Sequence, residues 1–146
     1  MGTEKKQYVI FRIGNDEYGT DINKVTIIER LLTITRVPKT PPYIKGVINL
    51  RGDIIPVMEL RTRLDIPEIE KDDDTRIIII DVNKISYGII VDSVSEVIEI
   101  DEAQIESPSG IINDISMDYV NGVAKCGTNL ITILNVEKLI SELVTI

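Results

Sequence analysis

The apolar residues of this chain come in short, isoleucine-rich runs that turn residues break about every eight to twelve positions. Two of these runs, "QYVIFRI" and "RIIIIDV", are each followed by a polar turn and a second run, "YGTDI" and "YGIIVD". In the same way "GVINL" and "DIIPVM" flank Arg51-Gly52, and "YVNGVAKC" and "LITIL" flank Gly127-Thr128-Asn129. This spacing is typical of β-hairpins and predicts an all-β fold.

Helix is predicted to be a minor component. Short helical turns are expected after Asp21, near Pro42 and over residues 59–64. A longer C-terminal helix is expected after Asn135, because asparagine is a good N-cap. Its apolar residues have the spacing of one buried helix face: Val136, Leu139, Ile140 and Leu143.

The chain also contains an internal repeat. "GVINLRGDIIPVMELRTRL" from Gly46 corresponds to "GVAKCGTNLITILNVEKLI" from Gly122, 76 residues later. Units of about 70 residues suit small closed barrels, so the repeat predicts two five-stranded antiparallel β-barrels over residues 1–73 and 74–146. The sequence leaves open whether strands swap between the barrels, and chance similarity of β-rich segments is the alternative to duplication.

Composition limits the chemistry that is available. The sequence has no His and one Cys, so nucleophile–histidine pairs cannot form and zinc lacks its usual ligands. Composition leaves paired carboxylates open, but no two acids fall in an evident cleft pattern, so a hydrolase is disfavoured and no cofactor or metal is expected. The triplet at residues 72–74 offers carboxylates to a cation, although a charge run between strands is more often a solvated loop. No apolar run reaches the ~18 residues that span a bilayer, and no signal core is present, so we expect a cytoplasmic protein.

The net charge of −8 disfavours general affinity for nucleic acid or anionic membranes. Aromatic residues make up 4% of the chain, too few to favour an OB-type barrel that stacks nucleic-acid bases. Residues 30–63 contain seven basic and two acidic residues, so this segment is positively charged although the chain as a whole is negative. It is a candidate docking surface for an acidic partner, with scattered surface charges as the alternative.

Comparison of the two repeats singles out Arg51. Its place in the second copy is taken by the turn "KCGT", which has no arginine, so the barrel itself does not require one. A planar guanidinium projected from a tight turn suits recognition of a carboxylate or of backbone carbonyls on another chain. An internal salt bridge to Asp53 or Glu29 is the alternative interpretation.

The stretch "IERLLTITRVPKTPPYIKGVINLRGDIIPVMELRTRL" resembles the signature of the CheW family of bacterial chemotaxis coupling proteins. The resemblance is most specific from Ile44 to Arg61 and extends over most of the chain. It implies that the two five-stranded barrels are SH3- or OB-like. It implies a non-catalytic adaptor that joins a CheA-type histidine kinase, through the kinase's regulatory domain, to the cytoplasmic tips of chemoreceptors. It also implies recruitment to membrane receptor arrays, and it leaves open a CheW-like scaffold in another chemosensory-type pathway.

The resemblance further implies which residues bind partners. Arg51, Asn49 and Gly46 match family positions associated with partner binding, and Lys45 and Val47 lie beside them. Two more candidates belong to the strand that the resemblance links to receptor contact: Ile27 and Glu29. The sequence departs from the family pattern at Arg30, where an aliphatic residue is common.

Overall fold

Within the described residues, 4–107 and 119–144, this computed structural model contains eleven strands and two α-helices. The strands are β1 (Lys5–Ile13), β2 (Asp16–Asp21), β3 (Val25–Arg30), β4 (Ile44–Leu50), β5 (Asp53–Glu59), β6 (Arg76–Val82), β7 (Ile85–Val91), β8 (Ser93–Asp101), β9 (Ile105–Glu106), β10 (Val120–Cys126) and β11 (Asn129–Leu134). The helices are α1 (Leu60–Arg63) and α2 (Val136–Val144). The predicted all-β fold is confirmed.

All four predicted hairpins are present: β1–β2, β4–β5, β6–β7 and β10–β11. Each closes through a two-residue turn, for example Asn83-Lys84 between Val82 and Ile85. Both turn residues have positive φ, 54° for Asn83 and 67° for Lys84. Two-residue turns of this kind match the right-handed twist of paired strands, which is why short polar dipeptides identify these hairpins in the sequence.

The strands form two sheets that belong to two compact units. The continuous unit, Lys24–Val94, contains the five-stranded sheet in the order β3-β6-β7-β5-β4. The split unit comprises the described residues up to Asn23 and from Ser95 onward. Its strands belong to a six-stranded sheet in the order β8-β1-β2-β11-β10-β9. One sheet is therefore a strand larger than predicted, because the two-residue strand β9 extends its edge.

These units differ from the predicted halves, residues 1–73 and 74–146. In the continuous unit β5 pairs in parallel with β7, and in the split unit β2 pairs in parallel with β11. Each parallel pair joins a strand of the first half to a strand of the second. Each sheet thus combines strands from both halves of the sequence, and in the five-stranded sheet all the other pairs are antiparallel.

Chain closure in the continuous unit depends on the segment after β3. Thr35 forms an antiparallel bridge with Val47 of β4, in which each amide donates to the other's carbonyl over 2.8 Å. The chain that leaves one edge strand, β3, is thereby bonded to the other edge strand, β4. This contact closes the sheet over a core of six buried residues: Ile48, Ile55, Val57, Ile77, Ile79 and Ile90.

The helices agree with the sequence except near Pro42. A 3₁₀ turn at Ile22–Lys24 and helix α1 lie where they are expected. The N-cap of α2 is confirmed, because Asn135 Oδ1 accepts a hydrogen bond of 3.1 Å from the Lys138 amide. Val136, Leu139 and Ile140 are buried as predicted, whereas the side chain of Leu143 lies outside the described residues. Near Pro42 the chain forms a hydrogen-bonded turn instead of a helix.

Candidate functional site

Arg51 and Gly52 form the two-residue turn between β4 and β5, which we call the Arg51 turn. Leu50 pairs with Asp53 at its base. Arg51 has φ of 54° and Gly52 has φ of 89°, the signs that a type I′ turn requires at both central positions. Glycine adopts this conformation at little cost, but a residue with a Cβ loses about 1–2 kcal/mol there. The arginine therefore occupies a place where the backbone favours Gly or Asn.

The side chain of Arg51 is exposed at the tip of this hairpin. The alternative interpretation of Arg51 was a salt bridge to Asp53 or Glu29. Within the described residues Arg51 makes no ion pair with either carboxylate. Ile54, next to the turn, is 64% exposed. The hairpin tip thus presents a guanidinium close to an apolar side chain, a combination that protein interfaces favour.

The side chain of Asn49 stabilises the Arg51 turn. Its Oδ1 accepts a hydrogen bond of 3.1 Å from the Gly52 amide. Asparagine side chains commonly satisfy turn amides in this way. Asn49 therefore has a structural task, the fixing of the backbone from which Arg51 projects.

Gly46 lies in the other half of β4, where the register with β5 shifts between Ile44 and Gly46. Its φ is 144°, and a Cβ placed on it would lie 2.1 Å from the backbone oxygen of Thr35. Only glycine allows the closing segment to approach β4 so closely. Val47, half-buried, follows it and carries the bridge to Thr35.

Lys45 is the extra residue at this register shift, and it already has an internal partner. Its Nζ lies 2.6 Å from Glu68 Oε2, and Thr62 Oγ1 donates to the same oxygen over 3.1 Å. The Lys45 ammonium and these hydrogen bonds lower the pKa of Glu68 below its ordinary value. Lys45 is six residues from Arg51 along β4, or about 20 Å.

Ile27 and Glu29 lie on β3 and share one face of that strand, since alternate residues point the same way. Ile27 packs against the core of the continuous unit, and Glu29 is half-buried. The structure brings Arg51 and Asn49 together at one turn and gathers Lys45, Gly46 and Val47 at the other end of β4. In the sheet order, β3 and β4 are opposite edges.

Two buried charged residues lie at the end of the same motif and were missed as site residues. Glu59 is 1% exposed and forms an ion pair with Lys71, and burial raises the pKa of its carboxyl. Arg61 is 7% exposed and binds both carboxylate oxygens of Asp92, at 2.9 and 2.5 Å. It also donates to the Pro67 carbonyl. The signal was present in "MELRTRL", where three charged residues alternate with other residues directly after an apolar strand.

The described residues include no group of three metal-ligating side chains close enough to hold a metal ion. In the acidic triplet, Asp72 Oδ1 accepts a hydrogen bond of 2.9 Å from the Asp74 amide, so its carboxylate stabilises a loop. Over residues 4–107 and 119–144, no helix is long and apolar enough to cross a membrane.

Comparison with known proteins identifies the family to which this sequence is similar. The family model for the CheW-like domain matches residues 7–144. The chemotaxis protein CheW of Bacillus subtilis is 38% identical over 138 residues, which cover 94% of this chain and 88% of that protein. The chemotaxis protein CheW of Klebsiella aerogenes is 34% identical over 140 residues, covering 96% of this chain and 84% of its own.

A solved structure has the same fold. The crystal structure of the scaffolding protein TtCheW from Thermoanaerobacter tengcongensis superposes with a TM-score of 0.83 at 41% sequence identity, and the match covers 90% of both chains. Protein FrzA of Myxococcus xanthus is a more distant relative, 28% identical over 138 residues that cover 93% of this chain and 86% of that protein.

Proposed function

Because the chain belongs to the family of CheW-like domains, we propose that it couples a CheA-type histidine kinase to the cytoplasmic tips of chemoreceptors. The chain is a non-catalytic chemotaxis adaptor. The observation that carries the finer proposal is Arg51, an exposed arginine kept in a left-handed turn where the backbone favours Gly or Asn. Strain of this kind persists where another function of the residue compensates for it.

The proposed kinase contact is the Arg51 turn together with Ile54. A guanidinium fork binds a carboxylate or two carbonyls with defined geometry, and Ile54 supplies apolar area next to it. Asn49 acts on this contact indirectly, since its hydrogen bond to Gly52 fixes the turn. The contact is thus a pre-shaped hairpin tip, which lowers the entropy lost on binding.

The proposed receptor contact is Glu29 on β3. Ile27 supports it from the core side, and the exposed residues Ile28 and Arg30 offer further contacts on the opposite face of the strand. Gly46, Val47 and Lys45 contribute by closing the sheet between β3 and β4, because Gly46 admits the segment that joins them. We assign these three residues a supporting role at the partner surface. Recruitment to receptor arrays from the cytoplasm follows from the receptor contact.

The experiment is capture of the purified kinase and of a receptor signalling fragment by wild type, Arg51→Ala and Glu29→Ala. Arg51→Lys keeps the charge but lacks the fork, so it separates electrostatic attraction from bidentate recognition. Lys84→Ala is the matched control, because Lys84 also occupies a positive-φ position in a two-residue turn of the continuous unit. Undiminished capture of both partners by Arg51→Ala and Glu29→Ala would remove the assigned contacts.

A CheW-like scaffold in another chemosensory-type pathway is the second candidate, favoured by the similarity to protein FrzA. The two candidates differ in partners and not in fold. Co-purification from the native cell distinguishes them: recovery of a CheA-type kinase together with chemoreceptors supports the first, and recovery of a different sensory assembly supports the second.

A further inference from the structure

The segment that links β3 to β4 and the strand after it are rich in basic residues. Residues 30–52 contain five bases and no acidic residue, in a chain whose net charge is −8. Three of these bases, Arg36, Lys39 and Lys45, line one cavity of about 330 Å³ in the continuous unit. The rest of its lining is uncharged: Val37, Thr40, Pro41, Pro42 and Ile44.

The loop around this cavity is held by its own hydrogen bonds. Thr40 Oγ1 donates to the Val37 carbonyl over 3.1 Å, and the Ile44 amide donates to the Pro41 carbonyl over 2.9 Å. The bridge between Thr35 and Val47 anchors the loop to β4, and proline rings fix φ within it. The charged side chains therefore project from a backbone that needs little further ordering to receive a ligand.

Two of the three cations have no counter-ion among the described residues. Lys45 is bound to Glu68 at 2.6 Å. Arg36 and Lys39 are exposed, and neither makes an ion pair or side-chain hydrogen bond with any part of the chain that the structure describes. An anion in the cavity would supply the missing negative charge and reduce the repulsion between them.

We infer that this cavity is an anion site that receives a carboxylate side chain from an acidic segment of a protein partner. Arg36 supplies a planar fork and Lys39 a point charge. A carboxylate fits better than a phosphate, because phosphate sites are commonly built from successive backbone amides and Pro41 and Pro42 have none. Val37 and Ile44 suit the methylene groups of a glutamate. The inference stands on this cavity alone and does not depend on the kinase and receptor contacts proposed above.

The test is a titration of the full-length, isotope-labelled chain with a capped hexaglutamate peptide, followed by amide NMR. We expect saturable shifts at residues 36–45. Arg36→Gln and Lys39→Gln should each weaken the affinity about two- to fivefold, as the loss of one exposed ion pair predicts. Lys84→Gln is the matched control, since Lys84 has φ of 67° against 64° for Lys39 and is exposed in the same unit. The affinity of Lys84→Gln for the peptide should equal that of the wild type.

Three results would overturn the inference. One is the absence of saturable shifts in the cavity. Another is weakening by Lys84→Gln as large as that by Lys39→Gln, which would mean that net charge alone attracts the peptide. The third is saturation of the cavity by inorganic phosphate but not by the peptide. Because the titration uses the isolated chain, its failure is distinguishable from failure of kinase or receptor capture.

Discussion

Asn49 Oδ1 accepts a hydrogen bond of 3.1 Å from the amide of Gly52, and between these two residues Arg51 is held with φ of 54°. The turn combines a stabilising side-chain contact with a strained residue. At position 51 the stability of the turn favours Gly or Asn, whereas the proposed partner contact needs arginine. Substitutions at this position can therefore separate the effect on stability from the effect on binding.

Arg51→Asn should raise stability and lower kinase capture. Asparagine adopts left-handed φ more readily than arginine, and Asn-Gly is a preferred type I′ turn, so we expect a gain of about 0.5–1 kcal/mol in the free energy of unfolding. Urea denaturation measures the gain. Arg51→Ala should lose capture without gaining stability, because alanine retains the backbone strain. If the urea midpoint of Arg51→Asn equals that of the wild type, the proposed backbone strain at Arg51 is contradicted.

Asn49→Ala should destabilise the hairpin by about 1 kcal/mol, since the Gly52 amide loses its partner. Asn49→Asp keeps an acceptor oxygen at the same place and should stay close to wild type in urea denaturation. If the alanine variant is less stable and captures less kinase while the aspartate variant matches wild type in both, Asn49 acts on the contact through the turn. Equal stability of the two variants would refute the structural task assigned to this hydrogen bond.

Gly46→Ala should lower the free energy of unfolding by about 3 kcal/mol or more. The Cβ of the alanine would collide with the Thr35 backbone, and the φ of 144° at this position disfavours any side chain. Gly52→Ala is the control. Gly52 also has positive φ, but no atom of residues 4–107 or 119–144 lies within 4 Å of the added Cβ, so the substitution should lower the free energy of unfolding by only about 1 kcal/mol. Thermal unfolding distinguishes the two, and similar costs would show that the approach of Thr35 is not what requires glycine at position 46.

Glu59 and Glu68 should give opposite pH dependences of stability. Burial raises the pKa of Glu59, so the folded state holds its proton more tightly than the unfolded state, and stability falls as pH rises from the ordinary carboxyl range, about pH 4–5, through the folded pKa. Glu59→Gln should remove this fall. The comparison to make is the urea midpoint of wild type and variant from about pH 4 to pH 7.

For Glu68 the hydrogen bond and charge of Lys45 lower the pKa. Its contribution is present above the ordinary carboxyl range and is lost as pH falls through the lowered value. Glu68→Gln should therefore approach wild-type stability only at acid pH. Parallel profiles for the two glutamine variants would contradict the assigned directions.

Much of the fold was predictable because its signals are local. Two-residue turns such as Arg51-Gly52 and Asn83-Lys84 sit between apolar runs, and Asn135 caps the final helix. The parallel pairing of β2 with β11 was not predictable from the apolar pattern, since it joins residues more than a hundred positions apart and leaves no periodic signal.

The site was predictable in part for the same reason. The repeat comparison singled out Arg51 because its counterpart turn has no arginine. The tasks of Gly46 and Ile27 required the structure, since the contact with Thr35 and the packing on the core join residues that are distant in sequence. The cavity around Lys39 was likewise hidden, because charge counting places its cations in one segment without giving their arrangement.

The division of the chain also has a consequence for protein synthesis. Residues Lys24–Val94 form a single uninterrupted segment, so all five strands of its sheet are synthesised before β9, β10 and β11. The hairpin β1–β2 precedes this segment but lacks its neighbour β11 until β11 has been synthesised. The sheet of the continuous unit therefore has all its strands before the sheet of the split unit does, and β2 keeps an unpaired edge during the synthesis of the intervening strands.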